Sequence, residues 1–429
     1  MTRGLDRRLG TVSWVIAVEE TALDNRMPLV RLGMDGTRSV TLLVAFEAGA
    51  RAERPEENGM AHFLEHMVFK GGERYATYRD VNNTAERLGA QLNAYTSHDL
   101  VAFHVTCRAE AAMEAADLLT DFVGRSHLDA GELERERGVV IQEIARSDDQ
   151  PASVASKLID RAAFGEHPLG RAVLGPADHL RSFSRDDLVA FRERRWAPQR
   201  GGAFVAGDLS SVDVDGIGEL FGRFPAQPDP PPVEDAPDFE RQVLVEPRET
   251  NQSHLRLYWR PGVRPTSVAE RAALAVYSTL LGGSMGSRLF DEIREQRGLC
   301  YAIRASAWSH TDTPNLGVAS GLDSSKCLEA YRRIGEIVTE LSEVGPTEEE
   351  VERARSYAAG SRVLALEGTG AVARSAAAQK VTFGEVRSPE EMVGALDAVS
   401  FEEVRSVARD IAGPPGVACV GPHTAAEFE

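Results

Sequence analysis

The sequence is poor in cysteine and in positive charge, and each deficit excludes a class of protein. Its 429 residues include four cysteines with no Cys-x-x-Cys pair, and 66 acidic residues outnumber 48 basic ones, for a net charge of −18. Such scattered cysteines indicate neither a disulfide framework nor a thiolate zinc site, so we interpret them as reduced core residues. A nucleic-acid partner is excluded because phosphate contacts need clustered Lys and Arg. The acidity either maintains solubility or provides a negative interior that attracts basic peptides.

Long apolar runs are also missing. No stretch approaches the roughly 20 residues of a membrane span, so we expect no membrane partner. The short apolar run 12–18 follows three arginines but precedes no small-residue cleavage site, so we expect no signal peptide. A cytoplasmic protein is therefore predicted. The length and the 42% hydrophobic content are enough for two or more packed domains.

The most informative motif is an apolar helical run interrupted by His62, Glu65 and His66. Because each helical residue advances by about 100°, the three side chains share one face, with a rise of about 6 Å between the imidazoles. His-x-x-Glu-His is the inverted zinc-protease motif. Neutral imidazoles suit zinc, and a carboxylate beside them can act as a base. The alternative, two polar histidines at the edge of a core helix, would bury polar groups without a partner.

A third ligand is expected on the segment 130–146, which we predict to be a helix with Asp129 as its N-cap. Glu136 and Glu143 lie two helical turns apart and face the same way. Glu143 has mainly apolar neighbours, which suggests an acidic residue on a largely buried segment, and such residues are rarely buried without a partner. We therefore predict Glu143 as the third metal ligand and Glu136 as a group that orients a histidine or water. An ordinary exposed carboxylate is the alternative for Glu136.

The second part of the chain repeats the pattern of the first. Segments 42–49, 132–137 and 204–207 recur at 255–262, 350–355 and 418–421, with offsets between 213 and 218. We predict a catalytic half at 1–224, a Pro-rich linker at 225–240 and a homologous half at 241–429. At these offsets the histidines and glutamates fall opposite residues that are poor zinc ligands. The second half is therefore predicted to have no metal site.

Several segments in the right order resemble the pitrilysin or insulinase family of zinc peptidases, especially the branch with the catalytic subunit of mitochondrial processing peptidase. They are 62–71, 92–97, 134–138, 140–144, 287–294 and 297–301. The resemblance implies an α+β fold of two homologous halves, each a sheet backed by helices, which form a clamshell around a chamber. It also implies that a peptide substrate adds as a strand beside Asn93, Ala94 and Tyr95.

The resemblance assigns Arg294 and Tyr301 to holding the substrate or its developing oxyanion, although their pattern alone is typical of a solvated arginine and a core tyrosine. The resulting prediction is a zinc endopeptidase with one zinc per chain, which cleaves peptides or unfolded segments with Glu65 as general base. A noncatalytic subunit and a partner-dependent half of a heterodimeric peptidase are the alternatives. A homodimer, and cobalt or manganese as the native metal, stay open.

Overall fold

Two sheets form the framework of the protein. The computed structural model describes residues 16–429, so most of the apolar run 12–18 lies outside the described residues. The strands are β1 (Ala17–Ala22), β2 (Pro28–Gly33), β3 (Ser39–Phe46), β4 (Gln91–Thr96), β5 (Val101–Arg108), β6 (Gly201–Gly207), β7 (Val243–Pro247), β8 (Gln252–Trp259), β9 (Cys300–Ser309), β10 (Pro314–Asp323) and β11 (Gly416–Gly421).

Fourteen α-helices pack around these sheets in the described chain. They are α1 (Met60–Val68), α2 (Tyr78–Leu88), α3 (Ala112–Gly124), α4 (Ala130–Asp148), α5 (Pro151–Phe164), α6 (Ala177–Ser182), α7 (Arg185–Arg195), α8 (Val214–Phe221), α9 (Val268–Ser278), α10 (Cys327–Glu343), α11 (Glu348–Ala365), α12 (Thr369–Phe383), α13 (Pro389–Asp397) and α14 (Phe401–Asp410). Within residues 16–429, no helix is both long and apolar enough to cross a bilayer.

The two sheets have the same topology. The first has the order β1-β2-β6-β3-β5-β4, and the second has the order β7-β11-β8-β10-β9. Each strand of the second sheet corresponds in sequence order to one strand of the first, and β1 is the extra strand. In both sheets one neighbouring pair is parallel and the remaining pairs are antiparallel. The prediction of an α+β fold with two homologous halves is confirmed.

Strand β3 shows why the first sheet needs helices on both faces. Its sequence is apolar almost throughout, and seven of its eight residues are buried. Leu42 and Val44 pack into the core beside α1 and α3, whereas Leu43 and Ala45 belong to a second core on the opposite face. Because successive strand residues point to opposite faces, a continuous apolar run predicts this two-sided burial.

The second face of each sheet is covered by a helix from the other half. Helix α12 packs on β3 and β6 of the first sheet, where Ala373 and Ala377 allow a close approach. Helix α5 packs in the same way on β8 and β11 of the second sheet, where Ala155 contacts Val420. These two helices occupy corresponding places in the repeat. The halves are therefore interlocked, and neither sheet is fully covered by its own half.

The connector between the halves contains no helix or strand from 225 to 242. Its carbonyl oxygen at Glu234 accepts hydrogen bonds from the buried guanidinium of Arg51, at 2.6 Å from Nη2 and 3.2 Å from Nε. The same guanidinium forms two hydrogen bonds with Asp312, which lies between β9 and β10. One side chain of the first half thus joins the connector and the second half.

Candidate metal centre and peptidase site

Helix α1 is held at its start by backbone geometry and by a buried carboxylate. Its N-cap, Gly59, has φ +100°, a conformation that favours glycine, and a Cβ there would lie 2.8 Å from the carbonyl oxygen of Leu174. The Glu53 carboxylate accepts hydrogen bonds from the N–H groups of Gly59 (3.1 Å) and Ala61 (2.7 Å). Burial raises the pKa of Glu53 to about 8. These contacts fix the helix that carries both histidines.

The structure brings His62, His66 and Glu143 together. Their potential ligand atoms all lie within 4.8 Å of one another. One oxygen of Glu143, Oε2, is 3.9 Å from Nε2 of His62 and 3.6 Å from Nε2 of His66. Two imidazoles and one carboxylate are the donor set of many catalytic zinc sites, which keep a further position for water or substrate. The chemistry and spacing of the donors therefore fit a zinc ion.

The two histidines differ in what surrounds them. Burial, aided by the charge of His66, lowers the pKa of His62 to about 4, so its imidazole is neutral at pH 7 and able to bind a metal. His66 Nδ1 lies 2.7 Å from Glu136 Oε1, which turns Nε2 toward Glu143. Burial alone would lower the pKa of His66, but the hydrogen bond to Glu136 raises it. Glu136 also pairs with Lys70, so its buried carboxylate is not left uncompensated.

Glu65 lies beside the cluster of His62, His66 and Glu143 but is not one of the three grouped ligand residues. Its buried carboxylate accepts a 2.6 Å hydrogen bond from Thr96 Oγ1 at the end of β4. Burial raises the pKa of Glu65, and the charge of Glu143 adds to the rise. Sequence reasoning missed the Thr96 contact. The only signal was the position of Thr96 inside the segment 92–97 that carries the family resemblance.

The burial expected for Glu143 is wrong. Its side chain is 44% exposed, and its neighbour Val139 is also exposed. The buried stripe of α4 consists of Leu133, Glu136, Val140 and Ile144, and Glu143 projects beside it. The error arises because apolar neighbours in sequence lie on several sides of a helix, and they do not define the face on which a given residue sits.

The three residues predicted to bind substrate lie on an edge of the first sheet. Strand β4 is the last strand in the sheet order and pairs only with β5 among the described residues. Ala94 and Thr96 face the side of α1, because Ala94 packs against that core and Thr96 reaches Glu65. Tyr95 packs on the opposite face. The Ala94 N–H donates to the side chain of Asn93 at 2.9 Å.

Arg294 and Tyr301 lie together in the second half. The Arg294 guanidinium carbon is 5.8 Å from the centre of the Tyr301 ring and 4.5 Å from that of Phe290. Tyr301 is 84% exposed, so it is not a core tyrosine. Among the described residues, neither side chain forms a hydrogen bond or an ion pair with the histidine and glutamate cluster. Their roles, like those of the other site residues, stay predictions.

A second cluster of potential ligands was missed by sequence reasoning. Cys327 at the start of α10, Cys419 in β11 and His423 are buried and have potential ligand atoms within 4.8 Å of one another. His423 Nε2 lies 2.8 Å from Ser253 Oγ. The contact with Cys327 and burial raise the pKa of Cys419, which keeps the thiol protonated. A separation of 92 residues between the cysteines gives no motif by which the sequence could reveal this contact.

Comparison with known proteins identifies the family. The model described as "Insulinase (Peptidase family M16)" matches residues 30–177, and that described as "Peptidase M16 inactive domain" matches residues 182–357. The chain belongs to the M16 insulinase family. The first model contains the candidate metal centre. The second covers the end of the first half, the connector and the second half as far as residue 357, and it includes α9 and most of α11, which have no counterparts of the histidines or of Glu143.

The M16 resemblance extends over nearly the whole chain. A Bacillus subtilis protein named "Uncharacterized zinc protease YmxG" is 32% identical over 87% of this chain and 90% of its own. The mitochondrial-processing peptidase subunit beta of Lentinula edodes is 28% identical over 95% of this chain and 90% of its own. A solved M16 "inactive domain" structure from Pseudomonas fluorescens has a TM-score of 0.87 at 18% identity, covering 96% of this chain and 99% of its own. That structural likeness supports the fold.

Proposed function

We propose that the protein is a zinc metalloendopeptidase that hydrolyses peptides or unfolded segments in a chamber between its two halves. The observation that carries the proposal is the convergence of His62, His66 and Glu143, with Glu65 beside them. M16 relatives named zinc proteases support the same reaction class. Zinc held by the three ligands would polarise the scissile carbonyl and lower the pKa of water in the site.

The side chains around this centre have separate roles in proton transfer, in positioning other side chains and in binding the peptide. Glu65 takes a proton from the attacking water and later delivers it to the leaving amine. Thr96 holds the Glu65 carboxylate, and Glu136 holds the His66 ring through Nδ1. The peptide adds as a strand to the edge of β4 at Asn93, Ala94 and Tyr95, which binds its backbone and tolerates varied side chains.

We propose further that one chain is sufficient for activity and works in the cytoplasm. The ligand cluster and the Arg294–Tyr301 pair occur in the same chain, which supports self-sufficiency. The four free cysteines are typical of a reducing compartment.

Metal analysis combined with cleavage of a mixed peptide library tests the function. We expect about one zinc ion per chain, loss of cleavage after chelation and recovery when zinc is returned. Cobalt and manganese should be added in parallel, because several divalent ions fit histidine and carboxylate ligands. A purified chain that binds zinc but cleaves no peptide would contradict the proposal and favour the noncatalytic or partner-dependent alternative.

Arg294→Ala and Tyr301→Phe test the contribution of the second half. If these side chains hold the substrate or the developing oxyanion, each variant should lower kcat/KM by about 100-fold while the zinc content stays unchanged. Tyr357→Phe is the matched control, because Tyr357 is an exposed tyrosine on α11. Loss of zinc from either variant, or an effect no larger than that of the control, would show that the pair is misassigned.

A further inference from the structure

An arginine-rich cavity of about 670 Å³ lies between the edge strands of the two sheets. Tyr95 of β4 contributes one side of the lining and Trp308 of β9 contributes another, and residues of α9, α11, α12 and α13 complete it. No aspartate or glutamate is among its lining residues. The lining arginines are Arg271, Arg362, Arg374 and Arg387. The lining is therefore opposite in sign to the chain as a whole, which has a net charge of −18.

Two of the arginines already have partners. Arg387 pairs with Glu385 at 3.0 Å. Arg271 stacks on the ring of Phe383, with 3.8 Å between the guanidinium carbon and the ring centre, and donates to the carbonyl oxygen of Pro265. These contacts fix both side chains as walls of the cavity.

The other two arginines are available to a ligand. Arg362 and Arg374 are exposed, and within residues 16–429 neither forms a hydrogen bond or an ion pair with another side chain. Burial raises the pKa of Tyr95 to about 12, and the charge of Arg374 opposes that rise, so the guanidinium acts directly on the β4 side of the cavity. A guanidinium offers a planar set of donors that matches a carboxylate, and low-dielectric walls strengthen the attraction.

The alternation of β4 connects this cavity to the predicted substrate. Thr96 points toward Glu65, whereas Tyr95 points to the other face and lines the cavity. A peptide strand added to the edge of β4 alternates in the same way, so every second side chain lies on the face of Tyr95. A side chain there would meet Arg362 and Arg374 instead of the metal centre.

We propose that this cavity is a specificity subsite for an acidic side chain, aspartate or glutamate, of the bound peptide. The proposal rests on the proposed function, and it assigns Arg362 and Arg374 as the residues that pair with the substrate carboxylate. It opposes the earlier interpretation of a negative interior that attracts basic peptides, because the lining of this cavity carries positive charge only.

Internally quenched peptides that differ only by Glu or Gln at one position provide the test. With the substitution moved along the peptide, we expect the zinc-loaded protein to prefer Glu by about tenfold in kcat/KM at a position on the Tyr95 face. Arg362→Gln/Arg374→Gln should reduce that ratio to about one. Arg405→Gln/Arg409→Gln changes the net charge equally on α14, outside the cavity, and should keep the ratio.

Binding to the Glu65→Gln protein separates failure of this inference from failure of the proposed function. Fluorescence anisotropy with the same labelled peptides should show tighter binding of the Glu peptide, and the preference should disappear in the triple variant that also carries both arginine substitutions. Equal binding and equal cleavage of Glu and Gln peptides at every position would overturn the subsite while leaving the peptidase intact. A Glu preference in binding, together with no cleavage of any peptide by the zinc-loaded protein with Glu65 intact, would support the subsite and reject the peptidase.

Discussion

Glu65→Gln should abolish most peptide cleavage while leaving the metal in place. Glu65 is buried beside His66 and is held by Thr96, and it is not one of the three clustered ligands. The amide keeps the shape of the side chain but cannot accept a proton from water. Because general-base catalysis contributes about 10²–10⁴-fold, we expect kcat to fall within that range. Peptide kinetics and zinc stoichiometry on the same preparation measure the effect.

The control for this variant must separate loss of the general base from loss of any negatively charged side chain near the site. Glu134→Gln removes an exposed carboxylate from α4 that pairs with Arg137, and it should leave both turnover and zinc content unchanged. Glu65→Gln protein that is fully loaded with zinc and still cleaves peptides at the original rate would refute the assignment of the base. Loss of zinc from it would mean instead that Glu65 contributes to the metal centre.

Local features of this fold were predictable because each depends on residues close in sequence. The helix predicted at 130–146 forms as α4, which begins at the predicted residue. The Asp129 side chain caps α4 by accepting hydrogen bonds from the backbone N–H groups of residues 131 and 132, as its position before the helix suggests. The last turn of α4 runs two residues beyond the predicted end, to Asp148, since helix ends depend on their surroundings.

The candidate metal centre was predictable for a different reason. The spacing of His62 and His66 already requires them to share a helix face. Glu143 was assigned as their partner from its apolar neighbours on a second helix, and the assignment agrees with the structure although the burial it assumed does not. The buried face of α4 could not be predicted from the sequence, because it depends on what α4 packs against. The Thr96 contact with Glu65 was missed for the same reason, since it joins a strand edge to a helix 31 residues away.

The exchange of α5 and α12 between the halves shows most clearly what could not be predicted from the sequence. Nothing in the sequences of these two helices indicates which sheet each one covers. A small apolar face such as that of Ala373, Ala376 and Ala377 fits either sheet, and the choice depends on the path of the whole chain. The arginine cavity depends on this exchange, because Arg374 on α12 reaches Tyr95 of the first half only after the helices have crossed.

The interlocking of the halves predicts a large loss of stability on removal of Arg51. Arg51 is 3% exposed and donates to Asp312 at 2.8 and 2.6 Å and to the carbonyl oxygen of Glu234. Asp99 lies 3.7 Å from the same guanidinium. Arg51→Met removes the charge that compensates two carboxylates in a poorly hydrated interface. Breaking such a pair costs roughly 3–5 kcal/mol of unfolding free energy, which urea denaturation measures.

Three further variants determine whether the loss comes from the broken ion pair. Arg26→Met removes an exposed arginine that lies 3.9 Å from Asp229, and surface pairs of this kind contribute about 0–1 kcal/mol. Arg51→Met/Asp312→Leu removes both partners, so, with Asp312→Leu also measured, the double variant should be more stable than the sum of the two single losses predicts. If Arg51→Met costs no more than Arg26→Met, or if the double variant is simply additive, the halves are held together by the packing of α5 and α12 and not by this ion pair.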